Sequence, residues 1–149
     1  MKGHPHDSSI THVAGESEFI DDRPPVKNEL QVGIIFSRVS HGRIKKISSK
    51  AASQLPGVVG IFTAKDLHHN IWGTIIQDQP VLADKEVNYY GEPICIVACD
   101  SLETLRKARK LIEVEIEALP AILSIEEARE SESFVIPARF IERGDVSTA

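Results

Sequence analysis

The sequence predicts an α+β domain, on three observations. Its strands and helices come in mixed order rather than in regular β-α-β alternation, which favours α+β over a doubly wound sheet. Leu102, Leu105, Ala108, Leu111 and Ile112 recur at helical spacing on one face. Directly after them the period changes. Val114 and Ile116 alternate with Glu113, Glu115 and Glu117, as in a half-exposed strand.

In chain order, the stretch to about Gly15 is polar and carries Pro5, which predicts an arm rather than core. Phe19-Ile20 is closed by Asp21-Asp22-Arg23-Pro24-Pro25, a turn or loop signal. Leu30 to Val39 predicts a long strand, and Ile34-Ile35-Phe36 breaks its alternation, so a bulge or burial on both faces is expected. Ser40-His41-Gly42 reads as a turn. Ile44 and Ile47 flank Lys45-Lys46 in a short, half-exposed strand. Ser48 or Ser49 can cap a short helix through Ala51, Ala52 and Leu55, which Pro56-Gly57 stops. Val58 to Phe62 is an apolar strand, and Thr63 can cap a helical turn from Ala64 to Leu67.

From His68 to Gln79 the pattern predicts loop. Pro80 to Ala83 and Val87 to Tyr90 are short extended pieces. Gly91-Glu92-Pro93 separates Val87–Tyr90 from a strand at Ile94–Ala98, and Gly91 there is expected at positive φ or at a close backbone approach. Asp100-Ser101-Leu102-Glu103 predicts a capping box for the long helix. Leu119-Pro120-Ala121 ends the final strand. Ser124-Ile125-Glu126-Glu127 opens a second capped helix, to about Glu130. The remainder, with Phe134, Val135, Ile136 and Arg143-Gly144-Asp145-Val146, carries no helix or strand pattern.

Composition narrows the functional classes. The chain has 149 residues, one domain's worth, with 42% hydrophobic and 26% charged residues, so it reads as globular. Aromatics are only 5%, so Val, Ile, Leu and Ala must build the core. No run of about 18 apolar residues is present, which argues against a membrane span. The amino terminus lacks the apolar segment of a secretory signal, and a cytoplasmic location is expected. Net charge is −5 with scattered basic residues, so nucleic acid is not an expected partner. Arg43, Lys45, Lys46 and Lys50 form the one basic cluster noted, read as a solvated strand edge or turn.

The chemistry-bearing residues fall into weak constellations. His4, His6 and His12 could form a metal-binding arm, but a terminal arm fixes no geometry, and a solvated arm is favoured. His68-His69 read as a loop pair. Glu113, Glu115 and Glu117 share one strand face and could do acid–base work, but a solvated face is the better reading. Asp21-Asp22 read as a self-capping turn, and Glu126-Glu127 as charges favourable to a helix start. Cys95 and Cys99, four residues apart on a strand, stand about 13 Å apart and cannot form a disulfide; buried, inert thiols are expected. No Gly-x-Ser-x-Gly or Gly-rich phosphate loop occurs. The expectation is a chain with no catalytic, cofactor-binding or metal-binding residue of its own.

Several stretches, read together, carry a resemblance. They include His4-Pro5-His6-Asp7-Ser8-Ser9 with His12-Val13, Gly15 to Asp22, Ser37 to Ile44, Leu55-Pro56-Gly57-Val58-Val59 and Phe62 to Leu67. They continue through Pro80 to Ala83, Val87-Asn88-Tyr89-Tyr90-Gly91-Glu92-Pro93, Val114 to Glu117 with Leu119-Pro120-Ala121, and Gly144-Asp145-Val146. This succession resembles the a/b hammerhead domain that opens the molybdenum-binding large subunit of the xanthine dehydrogenase and aldehyde oxidase family. The opening His-Asp-Ser-Ser and His-Val pattern leans toward bacterial xanthine dehydrogenase. Ser17, Phe19 and Cys99 depart from the usual pattern.

The resemblance implies an α+β, hammerhead-like mixed sheet in residues 15–130. A polar arm at 1–14 would precede it, and a tail at 131–149 would lead toward a cofactor-binding domain. It implies a parent oxidoreductase that hydroxylates purines, related heterocycles or aldehydes with water as the oxygen source. In that family a molybdenum-bound hydroxide attacks the carbon and hydride passes to a sulfido ligand. Electrons leave through [2Fe–2S] clusters and FAD. The molybdopterin-type cofactor and the glutamate base lie in later domains of the family, and none of their residues maps onto this chain. The implied partners are the remaining molybdopterin-binding domains and the iron–sulfur and flavin subunits or domains. The implied role is structural. A stand-alone binding or adaptor module with the same fold is the competing expectation.

Overall fold

Two three-stranded antiparallel sheets and one long helix organise the chain, and a computed structural model describes residues 6–141 and 143–144. The elements are α1 (Ser9–Ala14), β1 (Gln31–Phe36), β2 (Gly42–Ser48), α2 (Lys50–Ser53), β3 (Val58–Thr63), β4 (Ile71–Trp72) and β5 (Gln79–Pro80). They continue with β6 (Glu86–Val87), β7 (Pro93–Cys99), α3 (Leu102–Leu111), β8 (Glu113–Ala118) and α4 (Ile125–Glu130). Sheet order is β1-β7-β3 in the first sheet and β6-β2-β8 in the second, with β4-β5 as a separate ladder. The α+β expectation holds. Among the described residues no helix is long and apolar enough to cross a membrane.

β7 is the centre of the first sheet because it is apolar on both sides. Cys95, Val97 and Cys99 face α3, with Leu105, Ala108 and Ile112 packed against them and Ala52 of α2 closing the cluster. Ile94 faces the other way and enters a second cluster with Ala83 and Val87, covered by Val39, Ile44 and Ile116. Ile47 and Val114 touch both clusters and join them. A strand with apolar residues on both faces reads as a near-continuous apolar run, as Ile94–Ala98 does.

Three bulges resolve spacings that simple alternation cannot. In β2 the register slips between Ile44 and Lys46, so Lys45 is the extra residue and both Ile44 and Ile47 reach the core. In β3 the slip between Val58 and Gly60 leaves Val59 outside and turns Val58 and Ile61 inward. The expected irregularity at Ile34-Ile35-Phe36 is a register shift between Ile35 and Phe36.

The structure corrects several sequence expectations. β2 is the central strand of its sheet at Gly42 and Arg43, where β6 pairs with it, while Lys45 and Lys46 lie beyond β6, exposed, with a strand neighbour on the β8 side. The extended piece expected at Val87–Tyr90 is the two-residue β6 (Glu86–Val87), which pairs with β2, while β7 pairs with β1 and β3. Between them, Glu92 N–H donates to the Tyr89 carbonyl, and the buried Glu92 carboxylate accepts the Asn88 N–H. The polar arm contains α1, none of whose residues is buried. The His68–Gln79 loop holds β4, and Asn70 there bonds both backbone groups of Leu82 as a strand neighbour would. Ser101, not Asp100, caps α3 by accepting the Thr104 N–H, and Glu103 pairs instead with Lys107 at 2.7 Å. Leu102 and Leu111 sit half-exposed at the margins of the buried stripe. Ser124 caps α4 as expected, accepting the Glu127 N–H.

Gly91 has φ +88° with open space where a Cβ would stand, so conformation rather than crowding requires glycine there. A β-branched side chain at positive φ costs about 1–2 kcal/mol or more. Gly91→Val is expected to lower the melting temperature by several degrees in a calorimetric scan.

Candidate functional site

The residues singled out from sequence do not converge. The His12 ring stacks on Phe19 with centroids 5.9 Å apart, and His6 Nδ1 meets the Ser8 hydroxyl at 2.9 Å and the Ser8 N–H at 3.3 Å. His4 lies outside the described residues. His68 and His69 are exposed. Asp22 accepts the Phe19 N–H at 2.9 Å, so Asp21-Asp22 is the expected self-capping turn. Among the described residues, no group of three His, Cys, Asp or Glu side chains is arranged to hold a metal ion.

Of the strand carboxylates, Glu117 belongs to a charge ladder across the second sheet, while Glu113 and Glu115 are exposed. Glu117 stands 2.6 Å from Lys45 and 3.5 Å from Arg43, and Arg43 reaches Glu86 at 3.4 Å. The hydrogen bond and charge of Lys45, helped by Arg43, hold the Glu117 carboxyl below its ordinary pKa. A carboxylate kept ionised by exposed cations is a poor proton donor near neutrality. The Glu117 pairs with Lys45 and Arg43 link β8 to β2 across the strands.

Cys95 and Cys99 are both free and buried. Removal from water pushes the Cys95 thiol up to about 11 and raises that of Cys99, where Asp100 adds to the effect. Such thiols are neither nucleophiles nor iron ligands in the folded chain. Native protein at pH 8 is expected to resist iodoacetamide, and both sites should label in denaturant. Because the folded pKa is raised, the unfolded chain loses the Cys95 proton first. Stability linked to Cys95 is complete below about 9 and declines as pH rises toward about 11.

Two surfaces remain that sequence alone did not reveal. The first is the outer face of the β1-β7-β3 sheet, opposite α3. Val32 pairs with Ala98, and Ile34 and Phe62 both flank Ile96. Val32 is 59% exposed, Phe36 45% and Phe62 44%, so this apolar face is uncovered. The second is an open groove of about 1190 Å³ between β1, α3 and β8. Its floor is Ile35, Ile112, Val114 and Ile116, where the two core clusters meet. Its rim carries Arg38, Arg106, Arg109 and Lys110, with Glu113 the one carboxylate. The helical signal was present in the sequence, since residues 106, 109 and 110 share one face. Arg38 joins them only because β1 packs beside α3.

The donor set does not suit a molybdenum–pterin or iron–sulfur group held by this chain. Its thiols are sealed in the core, and every buried side-chain nitrogen or oxygen among the described residues already has a hydrogen-bond partner.

Comparison with known proteins agrees with this architecture. Residues 14–120 match the family described as aldehyde oxidase and xanthine dehydrogenase, a/b hammerhead domain. Aldehyde oxidase 4 of Cavia porcellus is 38% identical over 152 aligned residues, covering 99% of this chain and 11% of the relative. Xanthine dehydrogenase of Emericella nidulans is 34% identical, covering 97% of this chain and 11% of the relative. The crystal structure of the aldehyde oxidoreductase from Desulfovibrio desulfuricans superposes with a TM-score of 0.75 at 31% identity, over 87% of this chain and 16% of that one. The chain thus spans about a tenth of the length of these curated relatives. Identity to aldehyde oxidase and to xanthine dehydrogenase is close enough that it favours neither branch.

Proposed function

This chain belongs to the aldehyde oxidase and xanthine dehydrogenase a/b hammerhead family, and on that premise we propose that it is a structural domain of a molybdenum hydroxylase. It supplies packing surface, and no reacting group, to an enzyme that hydroxylates purines, related heterocycles or aldehydes with water as the oxygen source. The molybdopterin-type cofactor, the [2Fe–2S] clusters and FAD are held by adjoining domains or subunits, in the cytoplasm. In this reading residues 15–130 are the packing unit, 1–14 an arm and 131–149 a connecting tail.

One observation carries this reading. The outer face of the β1-β7-β3 sheet is apolar and open, in a chain whose charged groups are otherwise paired or solvated. A contiguous exposed apolar face rimmed by polar residues marks an interaction surface. The test is co-expression of this chain with the molybdopterin-binding polypeptide of the same organism. The two are expected to copurify with equal stoichiometry. Recovery of each by itself would reject the reading and favour a self-sufficient adaptor module.

A further inference from the structure

We propose that the groove between β1, α3 and β8 is the seat of an acidic, amphipathic segment of the polypeptide that packs on this domain. This rests on the structural role proposed above and names the chemistry of the contact.

The groove joins two features that call for one kind of occupant. Its floor is aliphatic, and Ile35, Val114 and Ile116 are only half-buried there. Covering them removes apolar surface from water. Its rim is cationic in a chain of net charge −5. Arg106 and Lys110 are like charges one helical turn apart, an arrangement that destabilises an isolated helix. None of Arg38, Arg106, Arg109 and Lys110 has an ion-pair partner among the described residues, whereas Glu103–Lys107, on the same helix, is paired. The helix dipole favours cations in the last turn, which accounts for Arg109 and Lys110 but not for Arg106 or for Arg38 on the loop after β1.

A phosphate would meet the rim cations but leave the aliphatic floor of this open groove uncovered. An amphipathic segment with carboxylates flanking an apolar stripe matches both floor and rim. The acidic helix α4, exposed beside Ile122 and Leu123, has this chemistry within the chain itself. Two copies of net charge −5 repel one another, however, so a second copy is not the favoured occupant.

Zero-length carbodiimide cross-linking of the copurified complex tests the contact, because it joins a lysine amine only to a carboxylate it touches. Lys110 is expected to link to an Asp or Glu of the adjoining polypeptide. The combined variant Arg106→Glu, Arg109→Glu and Lys110→Glu, with an unchanged circular dichroism spectrum, should weaken association at least tenfold. The wild-type complex should weaken as salt rises. If the variant binds like wild type, the groove assignment falls while the structural reading stands. If wild-type chain and partner do not associate at all, both fall. A Lys110 link to Glu126, Glu127 or Glu130 of a second copy, or displacement of the partner by millimolar pyrophosphate, would also overturn it.

Discussion

Leu105→Ala is expected to destabilise the chain by about 3 kcal/mol, within the range measured for truncating buried leucines. Leu105 is 5% exposed and lies at the centre of the cluster beneath α3. Its two methyl groups come within 2.9 and 3.2 Å of the point where Gly33 would carry a Cβ. The contact therefore depends on the absence of a side chain in β1. A loss of this size is a large share of the roughly 5–15 kcal/mol that holds a domain folded. Urea titration should show a lower midpoint with an unchanged slope. A midpoint within error of wild type would mean that α3 is not anchored through Leu105.

Gly42→Val is expected to have a comparable or larger effect, through crowding instead of a cavity. Gly42 pairs with Val87 on one side and Ala118 on the other, at the middle of the second sheet. A Cβ there would stand 2.6 Å from the Ile116 Cγ2 and 2.8 Å from the Glu117 carbonyl oxygen. The isoleucine methyl could rotate away, but the carbonyl is part of the β8 backbone and could not. Overpacking of this kind costs about 1–3 kcal/mol, and the γ-methyls of valine add to it. Amide exchange should reveal the loss locally, with protection reduced in β2 and β8 before β7. Uniform protection across both sheets would contradict the tight approach.

The elements that could be read from sequence are those whose pattern is local. The change of period at Ile112 divides α3 from β8 because the helix faces one sheet and the strand belongs to another. The apolar run Ile94–Ala98 gave a strand because α3 covers one face of β7 and Ile94, on the other, enters the second cluster. Sheet membership was not legible. β6 and β7 are separated by a short turn, yet nothing in those residues states that β6 pairs with β2, far back in the chain. The cap of α3 was misplaced by one residue because Asp100 and Ser101 are both good acceptors, and only backbone geometry selects Ser101. The groove was hidden for the same reason as the sheet pairing. Arg38 is distant in sequence from Arg106, Arg109 and Lys110, and tertiary packing alone brings them to one rim.

In the proposed structural role, these residues support a reaction whose groups reside in adjoining polypeptide. Metal analysis of the purified chain, expressed in a host that makes the molybdenum cofactor, is the most direct check, with turnover of xanthine and aldehydes followed in the same sample. The expected result is molybdenum far below one equivalent and no oxidation above the buffer rate. One equivalent of pterin-bound molybdenum, or turnover by this chain alone, would contradict the account.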